Sequence, residues 1–171
     1  YAKNGQPAHI IIKCNNIEDF DLGEALYRAS KAGVKIDLIA RSICTLRPGI
    51  KDLSENIRVL SIVDRFLEHS RVFHFQAGAD KPEQGLFFIG SADLMFRNLL
   101  GRVEVITPIL DSTCKKRIYE CLQIITSEAS NGWEMKSDGS YKRLAKSENE
   151  KSSQEHLMIY YNELHSQGRG I

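Results

Sequence analysis

At 171 residues, with 42% hydrophobic and 26% charged positions, the chain is long enough and apolar enough for one domain with a real core. A net charge of +1 supplies no global basic field to draw in nucleic acid, so any anion site must be local. No apolar run is long enough to span a bilayer. The start, Tyr1-Ala2-Lys3-Asn4-Gly5, is neither an initiator methionine nor a signal peptide, so the sequence reads as a piece of a longer protein.

In chain order, residues 9–14 form a β-branched run behind Pro7 and predict a buried strand. Residues 19–32 follow as a helix with Leu22, Ala25, Leu26 and Ala29 on one face and Gly33 suited to its C-terminal cap. Residues 34–40 predict a second strand, which makes a β-α-β unit with parallel strands and a right-handed crossover. Arg41 then stands where that strand runs out, the end at which open α/β sheets gather ligands.

Residues 42–55, with Pro48-Gly49, read as a loop and residues 57–61 as a short strand. Residues 62–68 predict one or two helical turns. Strands are expected at 71–75, 85–90 and 103–106, with polar turn chemistry at 76–84. A helix is expected over 111–126, capped by Asp111 or Ser112. Asp138-Gly139, within 133–141, is a hairpin turn signal. Residues 1–145 thus make the domain. Residues 146–153 read as a polar linker, 157–164 as a final amphipathic helix, and 166–171 as a fraying tail.

The four cysteines, Cys14, Cys44, Cys114 and Cys121, form no C-x-x-C pair and no zinc spacing. Three have apolar neighbours, which points to reduced thiols in an intracellular core.

The chemistry centres on Phe66-Leu67-Glu68-His69-Ser70-Arg71, followed by Gly90-Ser91-Ala92-Asp93. A histidine two residues before a cation can aim an imidazole and a positive charge at one phosphate, as nucleophile, acid or base. The small Gly-Ser-Ala turn would let backbone N–H groups approach an anion. Arg41 offers a bidentate fork to phosphate, against the alternative of a surface salt bridge. Lys13 and Asn15 end the first strand, where phosphate contact competes with a solvated lysine and a turn asparagine. Arg97-Asn98 and Arg102 follow the Gly-Ser turn, each weak alone. His74 alternates with Phe73 and Phe75 and shares a face with Val72. Glu104 reads as an outward strand position that could orient a cation. His9, His156 and His165 receive no role. No Walker loop, Rossmann fingerprint, serine elbow or kinase glycine loop is present.

Arg41-Ser42-Ile43-Cys44-Thr45-Leu46-Arg47-Pro48-Gly49, Leu53-Ser54-Glu55-Asn56-Ile57-Arg58-Val59 and Ser61-Ile62-Val63-Asp64-Arg65-Phe66-Leu67-Glu68-His69-Ser70-Arg71 closely resemble the C-terminal region of polyphosphate kinases. So do Ala29-Ser30-Lys31-Ala32-Gly33-Val34, Gly90-Ser91-Ala92-Asp93, Arg97-Asn98 and Asp138-Gly139-Ser140-Tyr141. The resemblance covers nearly the whole chain. It implies a phospholipase-D-like α/β fold with a mostly parallel mixed sheet flanked by helices. It also implies reversible transfer of the ATP γ-phosphate to an enzyme histidine and on to polyphosphate, with that histidine in a preceding domain. The family's nucleotide-binding arginine falls on Arg41 and its second active-site histidine on His69. With Arg71, Lys13, Asn98 and Arg102, these make up the expected ATP/phosphate site. Mg2+ is implied, with ligands outside this chain. Upstream domains of the same protein, a homo-oligomer and a bacterial-type cytoplasmic setting are implied too, with membrane association left open.

The chain departs from the family pattern at Ser42 and Asp64, where glycine is usual, and at Met95-Phe96, where tryptophan and proline are usual. Two rivals stand beside this reading. A phospholipase-D-like phosphodiesterase or nuclease would pair two His-x-Lys motifs; here there is one histidine and Arg71 takes the lysine's place. A non-catalytic polyphosphate-binding module is the other.

Overall fold

A computed structural model describes residues 1–127, 132–144 and 151–168. The expected β-α-β unit opens the fold. Strand β1 (His9–Cys14) and strand β2 (Lys35–Ala40) pair in parallel, joined by helix α1 (Phe20–Lys31). Asp19 caps α1, its carboxylate accepting from the Leu22 amide at 2.9 Å, and Gly33 leaves the helix at φ +90°. Strand β3 (Ile57–Ser61) adds in parallel to β2.

The other strands are β4 (Val72–Phe75), β5 (Leu86–Gly90), β6 (Ile106–Ile109), β7 (Trp133–Met135) and β8 (Tyr141–Arg143). The sheet order is β6-β5-β4-β1-β2-β3-β7-β8. The mixed α/β class is as expected, with the parallel part confined to β1, β2 and β3. Every other pairing between these strands is antiparallel; the two parallel steps use the α1 crossover and the long connection over residues 41–56, lengths that a parallel pair needs. Asp138 Oδ1 accepts from the Ser140 amide at 2.8 Å and holds the β7–β8 turn, whose Gly139 lies at φ +86°.

Three layers result. One sheet face buries Ile12, Ile36, Leu38, Val59 and Phe73 against Leu26 of α1. The other buries Ile11, Ile39, Leu60 and Phe87 against Leu122 and Ile125 of helix α3 (Ser112–Thr126). Helix α4 (Ser153–Ser166) lies on α3 and contributes Leu157 to the same cluster. Asp111 is the α3 cap.

Several local expectations are corrected. Residues 62–68 are irregular, not helical. That segment ends at a clamp of side chains from elsewhere, so its shape is not set by its own amides. The strand expected at 103–106 forms at Ile106–Ile109, so Glu104 lies before it. Arg97 and Asn98, which follow the Gly-Ser turn, belong to a short helix, α2 (Phe96–Gly101). The last helix starts at Ser153 because Ser152 and Glu155 form a reciprocal capping box. The proposed boundary at 145/146, most of the linker and the end of the tail lie outside the described residues. The four cysteines are free thiols; Cys14 is buried and Cys114 exposed. Among the described residues no helix is long and apolar enough to cross a membrane.

Candidate phosphate site

The parallel strands β1, β2 and β3 finish at one end of the sheet, and the register brings β4 in and β5 out there as well. Lys13 faces Val72, and Val72 faces Ile89. Asn15, Arg41, His69, Arg71 and Asp93 are therefore collected at that end. The backbone just past β2 is stapled to the end of β1, with Ser42 N donating to Asn15 O at 2.9 Å.

The His69 loop is held on both sides of the imidazole. Before it, Arg41 Nη1 donates to the Glu68 carbonyl at 2.8 Å, and Lys13 Nζ lies 3.1 Å from Glu68 Oε2. After it, Lys13 Nζ donates to Ser70 Oγ at 2.9 Å. Arg71 Nη1 donates to the His69 carbonyl at 2.7 Å and to His69 Nδ1 at 2.8 Å. Since guanidinium can only donate, Nδ1 is the acceptor, and the neutral ring carries its proton on Nε2. His69 itself is exposed and Arg41 half-buried. An exposed imidazole with Arg71 on its Nδ1 and Arg41 on the preceding carbonyl can donate from Nε2–H to a phosphoryl oxygen or pass a proton to one.

Asp93 anchors Arg71, a role no sequence motif announced. Its two oxygens accept from Arg71 Nε and Nη2, each at 3.2 Å. They also accept from the Asn15 amide at 2.8 Å and from the Asn15 and Asn16 side chains at 3.3 Å. Burial works to raise the Asp93 pKa, but the Arg71 charge and the Asn15 donors outweigh it and hold the carboxyl below its ordinary value.

The expected site residues do not all play the same part. Arg41, His69 and Arg71 share the pinned loop. Lys13 is not solvated: it is 5% exposed and committed to Glu68 and Ser70, behind the loop. Asn98 is buried in α2 and donates to Glu104 Oε1 at 2.6 Å, while Ser91 Oγ donates to the other Glu104 oxygen. Hydrogen bonds from Ser91 and Asn98, with the charge of Arg102 nearby, pull the Glu104 pKa down. Asn98 and Arg102 thus form a second cluster around Glu104.

The Gly-Ser turn offers no free amides at its first two positions. Gly90 N donates to Arg71 O and Ser91 N to Val105 O, at 3.3 and 3.0 Å. A Cβ on Gly90 would meet the Val105 carbonyl at 2.5 Å, so close approach of the chain entering β6, not an anion, requires the glycine. Ser42 and Asp64, the two departures from glycine, are both exposed.

Magnesium finds no ready ligand set here. Asp93 is engaged by Arg71 and two asparagines, and Glu68 by Lys13 and Gln154. Among the described residues no group of three or more His, Cys, Asp or Glu could hold a metal ion.

Residues 1–155 match the family model described as polyphosphate kinase C-terminal domain 2. A polyphosphate kinase from Rhodopirellula baltica is 45% identical over 160 residues, covering 94% of this chain and 18% of the relative. One from Thermosynechococcus vestitus is 50% identical over 143 residues, covering 84% and 19%. The crystal structure of the Porphyromonas gingivalis polyphosphate kinase superposes with a TM-score of 0.87 at 35% identity, covering 96% of this chain and 25% of that one. The chain spans about a fifth of the length of the curated relatives it matches. By the extent of the match and the agreement of the fold, this chain belongs to the polyphosphate kinase C-terminal domain 2 family.

Proposed function

We propose that this chain is the phosphate-handling part of a polyphosphate kinase that moves the ATP γ-phosphoryl group to a histidine in a preceding domain and then to the end of a polyphosphate chain. In the first step the bond from the γ-phosphorus to the bridging oxygen of ADP breaks and a P–N bond to that histidine forms. In the second the P–N bond breaks and a terminal polyphosphate oxygen takes the phosphoryl group. Such a group spreads negative charge over its peripheral oxygens in transit, so catalysis rests on positioning and fixed positive charge.

The observation that carries this reading is the exposed His69 ring held between two pinned neighbours, with Arg71 bonded to the ring and Arg41 to the carbonyl just before it. Arg41 would clamp the γ-phosphate with the N–H groups it does not spend on Glu68. His69 Nε2–H would bond a phosphoryl oxygen or protonate the oxygen that leaves. A magnesium ion would neutralise phosphate charge when bound; the carboxylates at this sheet end are already spent on cations and amides, so no step is assigned to it here.

The test is ATP-dependent polyphosphate synthesis by the full-length protein that carries this chain. Synthesis should collapse in His69→Ala, and the 171-residue chain alone should make no polymer. Robust synthesis by the isolated chain overturns the division of labour. Cleavage of a chromogenic phosphodiester that disappears in His69→Ala would replace the reading with a hydrolase.

A further inference from the structure

Helix α4 begins behind the His69 loop, and its second residue reaches into it. Gln154 is 5% exposed. Its side-chain amide pairs with the Phe66 backbone as another strand would: Phe66 N donates to Oε1 at 2.7 Å, and Nε2 donates to Phe66 O at 2.8 Å. The same Nε2 donates to Glu68 Oε1 at 2.9 Å, while Lys13 holds the other Glu68 oxygen. Gln154 cannot drift, because the Ser152–Glu155 capping box fixes the helix start and Leu157 packs into the core against α3.

Packing does not do this job instead. The loop has no ladder of its own, and Val63, Phe66 and Leu67 are exposed. Behind it, between α3 and α4, lies a cavity of about 580 Å³ bordered by Phe66, Ile125, Leu157 and Tyr161. With open space at its back, the loop takes its position from hydrogen bonds.

We infer that Gln154 is a positioning residue for His69 and Arg41: it sets the backbone of residues 66–68, to which Arg41 is bonded and from which His69 projects. The inference rests on the functional reading above and extends it to α4. A reacting group displaced by about 1 Å can cost on the order of a hundredfold in rate. Gln154→Ala in the full-length enzyme should therefore lower kcat by about ten- to a hundredfold, with a much smaller change in KM for ATP. Ile118→Ala, which removes apolar packing from α3 and does not line the cavity behind the loop, should lower the melting temperature at least as much and kcat far less.

A swap separates position from bulk stability. Gln154→Glu removes the donor to Glu68 and sets two carboxylates together, and should be as slow as Gln154→Ala. Gln154→Glu combined with Glu68→Gln restores a donor opposite an acceptor and should recover part of kcat. Unchanged kcat in Gln154→Ala, equal losses in Ile118→Ala, or no recovery in the swap overturns the positioning role. His69→Ala is the control: if it leaves turnover intact, the functional reading falls; if it is inactive beside an unimpaired Gln154→Ala, only this inference falls.

Discussion

His69 and His74 are close in the chain and have opposite surroundings. His69 is exposed, on irregular backbone, with its neighbours pinned by Arg41, Lys13 and Asp93-anchored Arg71. His74 is 0% exposed on β4, its Nε2–H donating to the Pro82 carbonyl at 2.9 Å and its ring tilted against Phe87 with centroids 4.4 Å apart. Burial drives its pKa down to about 4, against the pull of the Pro82 bond. The two imidazoles differ in use because one is withdrawn from proton exchange and the other is fixed in place without being covered. At this end of the sheet, the His69 loop takes its rigidity from ion pairs and amides.

The largest expected contrast is catalytic. His69→Ala should lower turnover of the full-length enzyme by roughly 10²–10⁴-fold if the ring moves a proton, with an unchanged melting temperature because the side chain is exposed. A melting temperature that falls with the activity would make His69 structural and break the comparison.

Next is the anchor. Asp93→Ala leaves Arg71 without its buried partner, which should cost about 3–5 kcal/mol of stability. Denaturant titration measures it, and a loss no larger than that of an exposed substitution would contradict the Asp93 assignment.

His74 should register in the pH dependence of stability. Its folded pKa is below the ordinary 6.5, so the unfolded chain binds the proton first. The contribution is fully present above pH 6.5 and is lost as pH falls to about 4. At about 1.36 kcal/mol per unit this amounts to about 3 kcal/mol. His74→Phe should flatten that window, leaving the fall at lower pH that belongs to Asp93 and the other carboxylates held below their ordinary values. A slope that persists unchanged in His74→Phe would show the proton going elsewhere.

The smallest of these effects is at Arg41. A lost charged hydrogen bond costs about 1.5–3 kcal/mol, so Arg41→Ala should slow turnover about ten- to a hundredfold. Arg41→Lys should recover only part, because an ammonium lacks the planar fork that can hold both Glu68 O and a phosphate. Full recovery would reduce Arg41 to a point charge.

Much of the fold was legible because its signals are local. The β-branched run of β1, the one-faced apolar spacing of α1, Gly33 after it and Asp138-Gly139 in the β7–β8 turn each report backbone preferences within a few residues, and each appears where expected. The family resemblance marked Arg41 and His69 in the same way, as types at fixed spacing. What only the tertiary structure decided is which groups those residues meet. Lys13 is buried because β4 arrives beside β1 with Glu68 and Ser70 on its lead-in. Gly90 must be glycine because the chain entering β6 passes against it. Asp93 holds Arg71, and Gln154 holds the loop, across long stretches of chain. A periodic pattern records the face a side chain occupies, but the partner of a buried charge is set by how distant segments cross, and single-chain spacing carries no record of that crossing.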